Sequence, residues 1–134
     1  MTTLTATVSA LYAGLFGLLA VILTVRVILN RVRTGTNSGD GGDAQLAQAI
    51  RAHANFIEHA PLALVLLLVA ETLGTSSMLI NAAGTVLVVA RTANAFGLSR
   101  SLGPSMPRQA GAGLTILTVA LMSLYILYRV LVAH

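Results

Sequence analysis

The chain has 134 residues, 56% of them hydrophobic and 9% charged, with a mean hydropathy of +0.85 and a formal net charge of +4. That length holds one domain, and a water-soluble core of this size does not need so much apolar surface, so the chain reads as an integral membrane protein. Cysteine is absent, which excludes disulfides, thiolate metal sites and a cysteine nucleophile, and the arginines are too dispersed for a nucleic-acid surface.

The first apolar segment spans about residues 4–31 and carries no charge before Arg26. It is longer than a signal-peptide core and lacks a positive leading region, so a retained transmembrane helix is expected. Ala10/Gly14 and Ala13/Gly17 form two small-residue pairs that permit close helix contact. Residues 33–44 are a polar, glycine-rich loop without the Lys-Ser/Thr ending of a phosphate cradle. Asp43 is placed to cap the next helix.

The second segment spans about 44–73 and opens with Arg51-Ala-His-Ala-Asn-Phe-Ile-Glu-His-Ala-Pro61. Arg51, Asn55 and Glu58 stand at i, i+4 and i+7, on one helical face, and the sequence beyond them is apolar. Pro61 should kink this helix and free the Ile57 carbonyl. The third segment spans about 78–96 and carries Arg91 and Asn94. Residues 97–107 read as a loop broken by Gly103-Pro104 and Pro107, and the fourth segment spans about 108–132. The expected fold is thus an all-α integral membrane bundle of four transmembrane helices.

Arginine distribution sets the expected topology. All eight basic residues are arginines; the first and third loops with their flanks hold Arg26, Arg31, Arg33, Arg51, Arg100 and Arg108, and the second loop holds none. Loops one and three should face the cytoplasm, with both termini outside. Glu58 then lies roughly 10 Å past Arg51 along its helix, at about the depth of Arg91 and Arg26. One carboxylate among several guanidiniums leaves net positive charge, which suits an anionic ligand bearing carboxylates. An interhelical Glu58–Arg91 ion pair is the alternative reading.

His53 and His59 point to different faces and miss the zinc-helix spacings, so no metal site is expected. Arg129 and Glu71 should snorkel or pair near the outer ends of their helices. Tyr12, Tyr125 and Tyr128 suit an aromatic belt.

The run from Gly39-Asp40-Gly41-Gly42 through Leu46, Ile50 and Arg51–Pro61 resembles the membrane-associated proteins in eicosanoid and glutathione metabolism, the MAPEG family, and in particular its small bacterial members. The likeness extends over nearly the whole chain, with Arg91 in the third helix and Arg108 entering the fourth. It implies a homotrimer of four-helix protomers in a bacterial inner membrane, with glutathione bound between neighbouring subunits in the cytoplasmic half. It further implies a glutathione transferase or peroxidase, whose lipophilic electrophile or lipid hydroperoxide arrives from the membrane lipid. By motif match, Arg51, Asn55 and Glu58 would bind glutathione, with Arg91, Arg26, His53 and Asn94 completing the binding set. Arg108 aligns with the arginine that stabilises the glutathione thiolate in the family, and Arg100 is the fallback for that role. The chain departs from the pattern at His59, where many relatives have Tyr, and at Asn94 and Leu98, where several eicosanoid synthases carry Tyr or His. One branch of the family binds lipid without catalysis, so a non-catalytic lipid- or glutathione-binding protein is the alternative function.

Overall fold

The structure, a computed structural model, describes residues 6–132. It consists of four helices: α1 (Thr7–Thr34), α2 (Ala44–Thr72), α3 (Ser77–Arg100) and α4 (Met106–Leu131). All four are long and apolar enough to cross a membrane. The expected start of the first helix at Leu4 lies outside the described residues.

Several helix ends have an identifiable cause. The first backbone N–H groups of α1 have no side-chain cap of their own. The Glu71 carboxylate, from the last turn of α2, accepts from Val8 N–H at 2.9 Å and Ser9 N–H at 2.7 Å. This corrects the expected Glu71–Arg129 pairing, because a helix N-terminus supplies both donors and partial positive charge. Gly35 ends α1 in the left-handed region at φ 65°, three residues later than the apolar run implied. Asp43 caps α2 as expected, accepting from Leu46 N–H at 2.8 Å. Arg33 donates to the same carboxylate at 2.6 Å. That hydrogen bond and then the Leu46 N–H hold the Asp43 carboxyl below its ordinary range.

The loop expected at residues 97–107 is shorter in the structure. Helix α3 continues to Arg100 and α4 begins at Met106, with Pro107 in its first turn. Proline costs nothing there, because the N–H it lacks has no helical partner anyway. Helix α2 runs unbroken past Pro61.

Helix α2 packs against the other three helices, and α3 does likewise, while α1 and α4 do not touch one another among the described residues. The cross-section is therefore a rhombus with α2 and α3 on its short diagonal. Phe16 and Phe56 meet edge to face at 5.6 Å between ring centres, and Leu67, Leu87 and Met122 belong to the same core. Two glycines let the helices close up. A Cβ on Gly84 would collide with the Tyr12 ring, and one on Gly111 with the Ala90 carbonyl. Tyr12 is consequently buried, its hydroxyl 2.9 Å from the Asn81 carbonyl and 3.0 Å from the Thr85 hydroxyl. It is not a belt residue, because the pocket opposite Gly84 takes its ring. The Ala10/Gly14 and Ala13/Gly17 stripe stays on the exposed face of α1. Leu11, Leu18, Ile22, Leu29, Ile116 and Leu124 are among many large apolar side chains left exposed, an arrangement that lipid solvates and water does not.

Candidate functional site

The end of the bundle carrying loops one and three holds most of the polar side chains that the sequence singled out. They form two connected groups. On the outward face of α2, Arg51 Nη1 donates to Glu58 Oε1 at 3.2 Å. Their side chains are 46% and 48% exposed in the single chain. Behind them, Asn55 turns inward and its Oδ1 accepts from Arg91 Nη1 at 3.0 Å.

Arg91 is 1% exposed, the largest fully buried side chain of the protein. Its Nε donates to Thr115 Oγ1 at 2.9 Å and its Nη2 to the Gly111 carbonyl at 3.5 Å. Thr115 in turn donates to the Gly111 carbonyl at 2.8 Å. Arg91 thus bridges α2, α3 and α4. The alternative reading of a Glu58–Arg91 ion pair does not hold. Among the described residues the ion pairs are Arg33–Asp43 and Arg51–Glu58. The reason is rotational: Asn55 lies between Arg51 and Glu58 in sequence yet leans toward the bundle axis, and its amide oxygen meets the buried guanidinium first.

The remaining candidates sit around this core. Asn94 is buried, and its Nδ2 donates to the Arg108 backbone carbonyl at 2.9 Å, which ties the start of α4 to α3. The Arg108 guanidinium folds back over its own loop and donates to the carbonyls of Leu102 at 2.6 Å and Gly103 at 3.1 Å. Arg26 donates to the Ser99 hydroxyl and, at 3.0 Å, to the Ser99 carbonyl, so it closes the last turn of α3. Arg100 lies over the Phe96 ring at 4.6 Å. His53 is half-buried and makes no hydrogen bond to the Arg51–Glu58 pair; it stands two residues from Arg51 and therefore on another face. His59 Nδ1 lies 3.1 Å from the Asn55 carbonyl. A carbonyl only accepts, so Nδ1 is the donor in this contact. No three His, Asp or Glu side chains converge as metal ligands among the described residues.

Two hollows flank the Arg51–Glu58 pair. One, of about 370 Å³, is lined by Gly39, Asp40, Ile50, Arg51, Ala54 and Leu102. Leu102 is also the residue whose carbonyl holds Arg108. The other is a groove of about 430 Å³ between α2 and α4, with Glu58, His59 and Thr115 among apolar walls. Gly39 lines the first hollow, and it shares with Gly41 and Gly42 a positive φ, at 66°, 57° and 78°, that turns the loop tightly.

Thr115 and Ser99 belong to this network and were not singled out from the sequence. Thr115 had a detectable signal, since it lies two turns after Arg108 on the same face of the helix. Ser99 had none, because it fell in the stretch read as loop.

Comparison with known proteins identifies the family. The family model described as the MAPEG family matches residues 9–128. The chain is also 37% identical, over 95 residues, to the protein named inner membrane protein YecN in Escherichia coli K12 and in an O6:H1 strain of that species. The match covers 71% of this chain and 72% of each relative. It spans most of a chain whose four helices place Arg51, Asn55, Glu58, Arg91 and Arg108 at one end of the bundle, and on these grounds the protein belongs to the MAPEG family.

Proposed function

We propose that the protein is a glutathione-dependent transferase or peroxidase of a bacterial inner membrane, active as a homotrimer. One observation carries the reading. The Arg51–Glu58 pair lies on an outward face of α2, about half exposed in the single chain, in a helix long and apolar enough to cross a membrane. Charged side chains turned toward lipid are costly, so another surface covers this face. A second copy of the chain supplies that surface, and the ligand fills the space between. Membership of the MAPEG family and the inner-membrane name of the YecN relatives support the same reading.

The chemistry of the pair selects the ligand. Glutathione carries two carboxylates and one ammonium. Arg51 grips a carboxylate in two-pronged fashion, and Glu58 takes the ammonium. Asn55, held by Arg91, offers its remaining amide hydrogens. Reaction requires the thiolate, because the thiol is a poor nucleophile. Arg108 supplies a permanent positive charge beside the hollow that Arg51 lines; it exchanges the Leu102 and Gly103 carbonyls for the sulfur when glutathione binds. The thiolate then attacks a lipophilic electrophile, forming a carbon–sulfur bond as the leaving group departs. The groove between α2 and α4 gives that electrophile a path from the bilayer. A non-catalytic glutathione-binding role is the second reading, and the Arg108 contacts favour it: this guanidinium is already engaged by two carbonyls of its own loop.

Assembly and binding are tested together. Native mass spectrometry in detergent should give trimers, and calorimetry should show glutathione binding that disappears when the trimer is dissociated. A monomer that still binds glutathione overturns the shared site. Turnover of a lipophilic electrophile by the purified trimer separates the enzyme from the binding protein.

Topology is tested independently. Loops 33–44 and 97–107 are assigned to the cytoplasm from the arginine distribution. The protein has no cysteine of its own. Ser38→Cys and Ser101→Cys should resist a membrane-impermeant thiol reagent in intact cells, while Ser77→Cys should react. The reverse pattern would move the polar end to the other side of the membrane.

A further inference from the structure

The opposite end of the bundle holds a second polar cluster that the proposed reaction does not use. Arg129 Nη1 donates to the Tyr125 hydroxyl at 2.7 Å and Nη2 to the Leu73 carbonyl at 2.7 Å. Thr75 donates its hydroxyl to the same Tyr125 oxygen at 3.1 Å. The Tyr125 oxygen therefore accepts twice, and its own hydrogen has no acceptor among the described residues. Arg129 has no carboxylate within ion-pair distance among the described residues. Glu71, the acid at this end, is occupied by the N-terminal N–H groups of α1. A fixed cation and an uncommitted O–H donor thus stand side by side without an anion.

Beneath them lies a cleft of about 180 Å³ between α2, α3 and α4. Tyr125 and Thr75 line its mouth, and Leu67, Ala70, Ile80 and Ala83 line its apolar depth. Leu79 and Leu121 on its rim are exposed, so it opens sideways toward lipid. The polar residues are at the helix ends and the apolar ones a turn or two further in. A membrane phospholipid has the same order, phosphate at the surface and acyl chain below.

We propose that this cleft binds one acyl chain of an anionic membrane phospholipid, whose phosphate is held by Arg129 and the Tyr125 hydroxyl. The guanidinium has free N–H donors and suits a phosphate. Anionic headgroups are preferred over zwitterionic ones, because a headgroup ammonium competes with Arg129 for the phosphate and leaves its charge uncompensated. This site is independent of the glutathione reading, since it shares no residue with the polar layer.

The test is native mass spectrometry of the full chain released from bilayers with equal phosphatidylglycerol and phosphatidylcholine. One phosphatidylglycerol per chain should be retained over phosphatidylcholine. Arg129→Gln should lower that retention about tenfold, the effect of losing one charge-assisted contact. Because this change also strips the Leu73 carbonyl of its donor, Ala83→Phe serves as a second variant. It fills the cleft and leaves Arg129, Tyr125 and Thr75 in place, and it should reduce retention to a similar extent. Equal retention of the two lipids overturns the proposal, as does unchanged retention in the folded Ala83→Phe protein. Displacement of phosphatidylglycerol by equimolar oleate also overturns it, since the ligand would then be a free carboxylate.

Discussion

Arg108→Ala is expected to remove the thiolate absorbance of bound glutathione and to lower turnover on the order of a hundredfold or more, the usual consequence of deleting a charge that stabilises a reacting anion. Each unit by which the thiol pKa is lowered corresponds to about 1.4 kcal/mol of preferential interaction with the thiolate. A guanidinium at contact distance in a water-poor site supplies that without any proton transfer. Glutathione binding itself should survive at reduced strength, because Arg51, Asn55 and Glu58 are untouched. Arg100→Ala should change little, since that guanidinium lies over Phe96. Helix α4 should keep its start in both variants. It is Asn94 that fixes the position of residue 108, through the backbone carbonyl. Full thiolate signal and activity in Arg108→Ala, or their loss in Arg100→Ala instead, would show that the catalytic arginine has been misassigned.

Arg91 and Glu58 should respond in opposite ways. Arg91→Ala removes a fully buried side chain that joins three helices, leaving a cavity and taking away the partners of Asn55 and Thr115. A loss of about 3–5 kcal/mol of stability is expected. Thermal unfolding in detergent would register it, with glutathione binding lost only as a consequence. Glu58→Gln alters only the pair with Arg51, leaves the Arg91 network intact, and should cost far less stability than Arg91→Ala. The trimer should stay folded while glutathione affinity falls about tenfold, the expected price of one charge-assisted contact to the ligand ammonium. A Glu58→Gln protein that loses much stability yet keeps its affinity would assign Glu58 to the framework and leave the ligand to other residues.

The sequence by itself determined the helices and their polar end. Four long apolar segments admit few structures in lipid, where backbone groups must be satisfied within each helix. The cap at Asp43 was legible because exposed N–H groups favour a carboxylate, whereas the apolar run alone ended the first helix short of the Gly35 cap. The spacing of Arg51, Asn55 and Glu58 placed them near one another on α2 for the same local reason. Which partner each side chain found was decided only by tertiary structure. Asn55 and Glu58 differ by less than one turn, yet the packing of α3 and α4 gave Arg91 to Asn55 and left Glu58 to Arg51. Tyr12 entered the core because Gly84, 72 positions away, leaves room for a ring. Glu71 became the cap of α1 because that helix end lies beside it in space. Arg108 turned to its own loop because α3 ran on to Arg100 and drew the loop tight beneath the guanidinium. Helix formation follows from periodicity and local hydrogen bonding, whereas the pairing of polar groups depends on how far each helix is rotated against its neighbours, and that rotation is fixed by side chains distant in sequence.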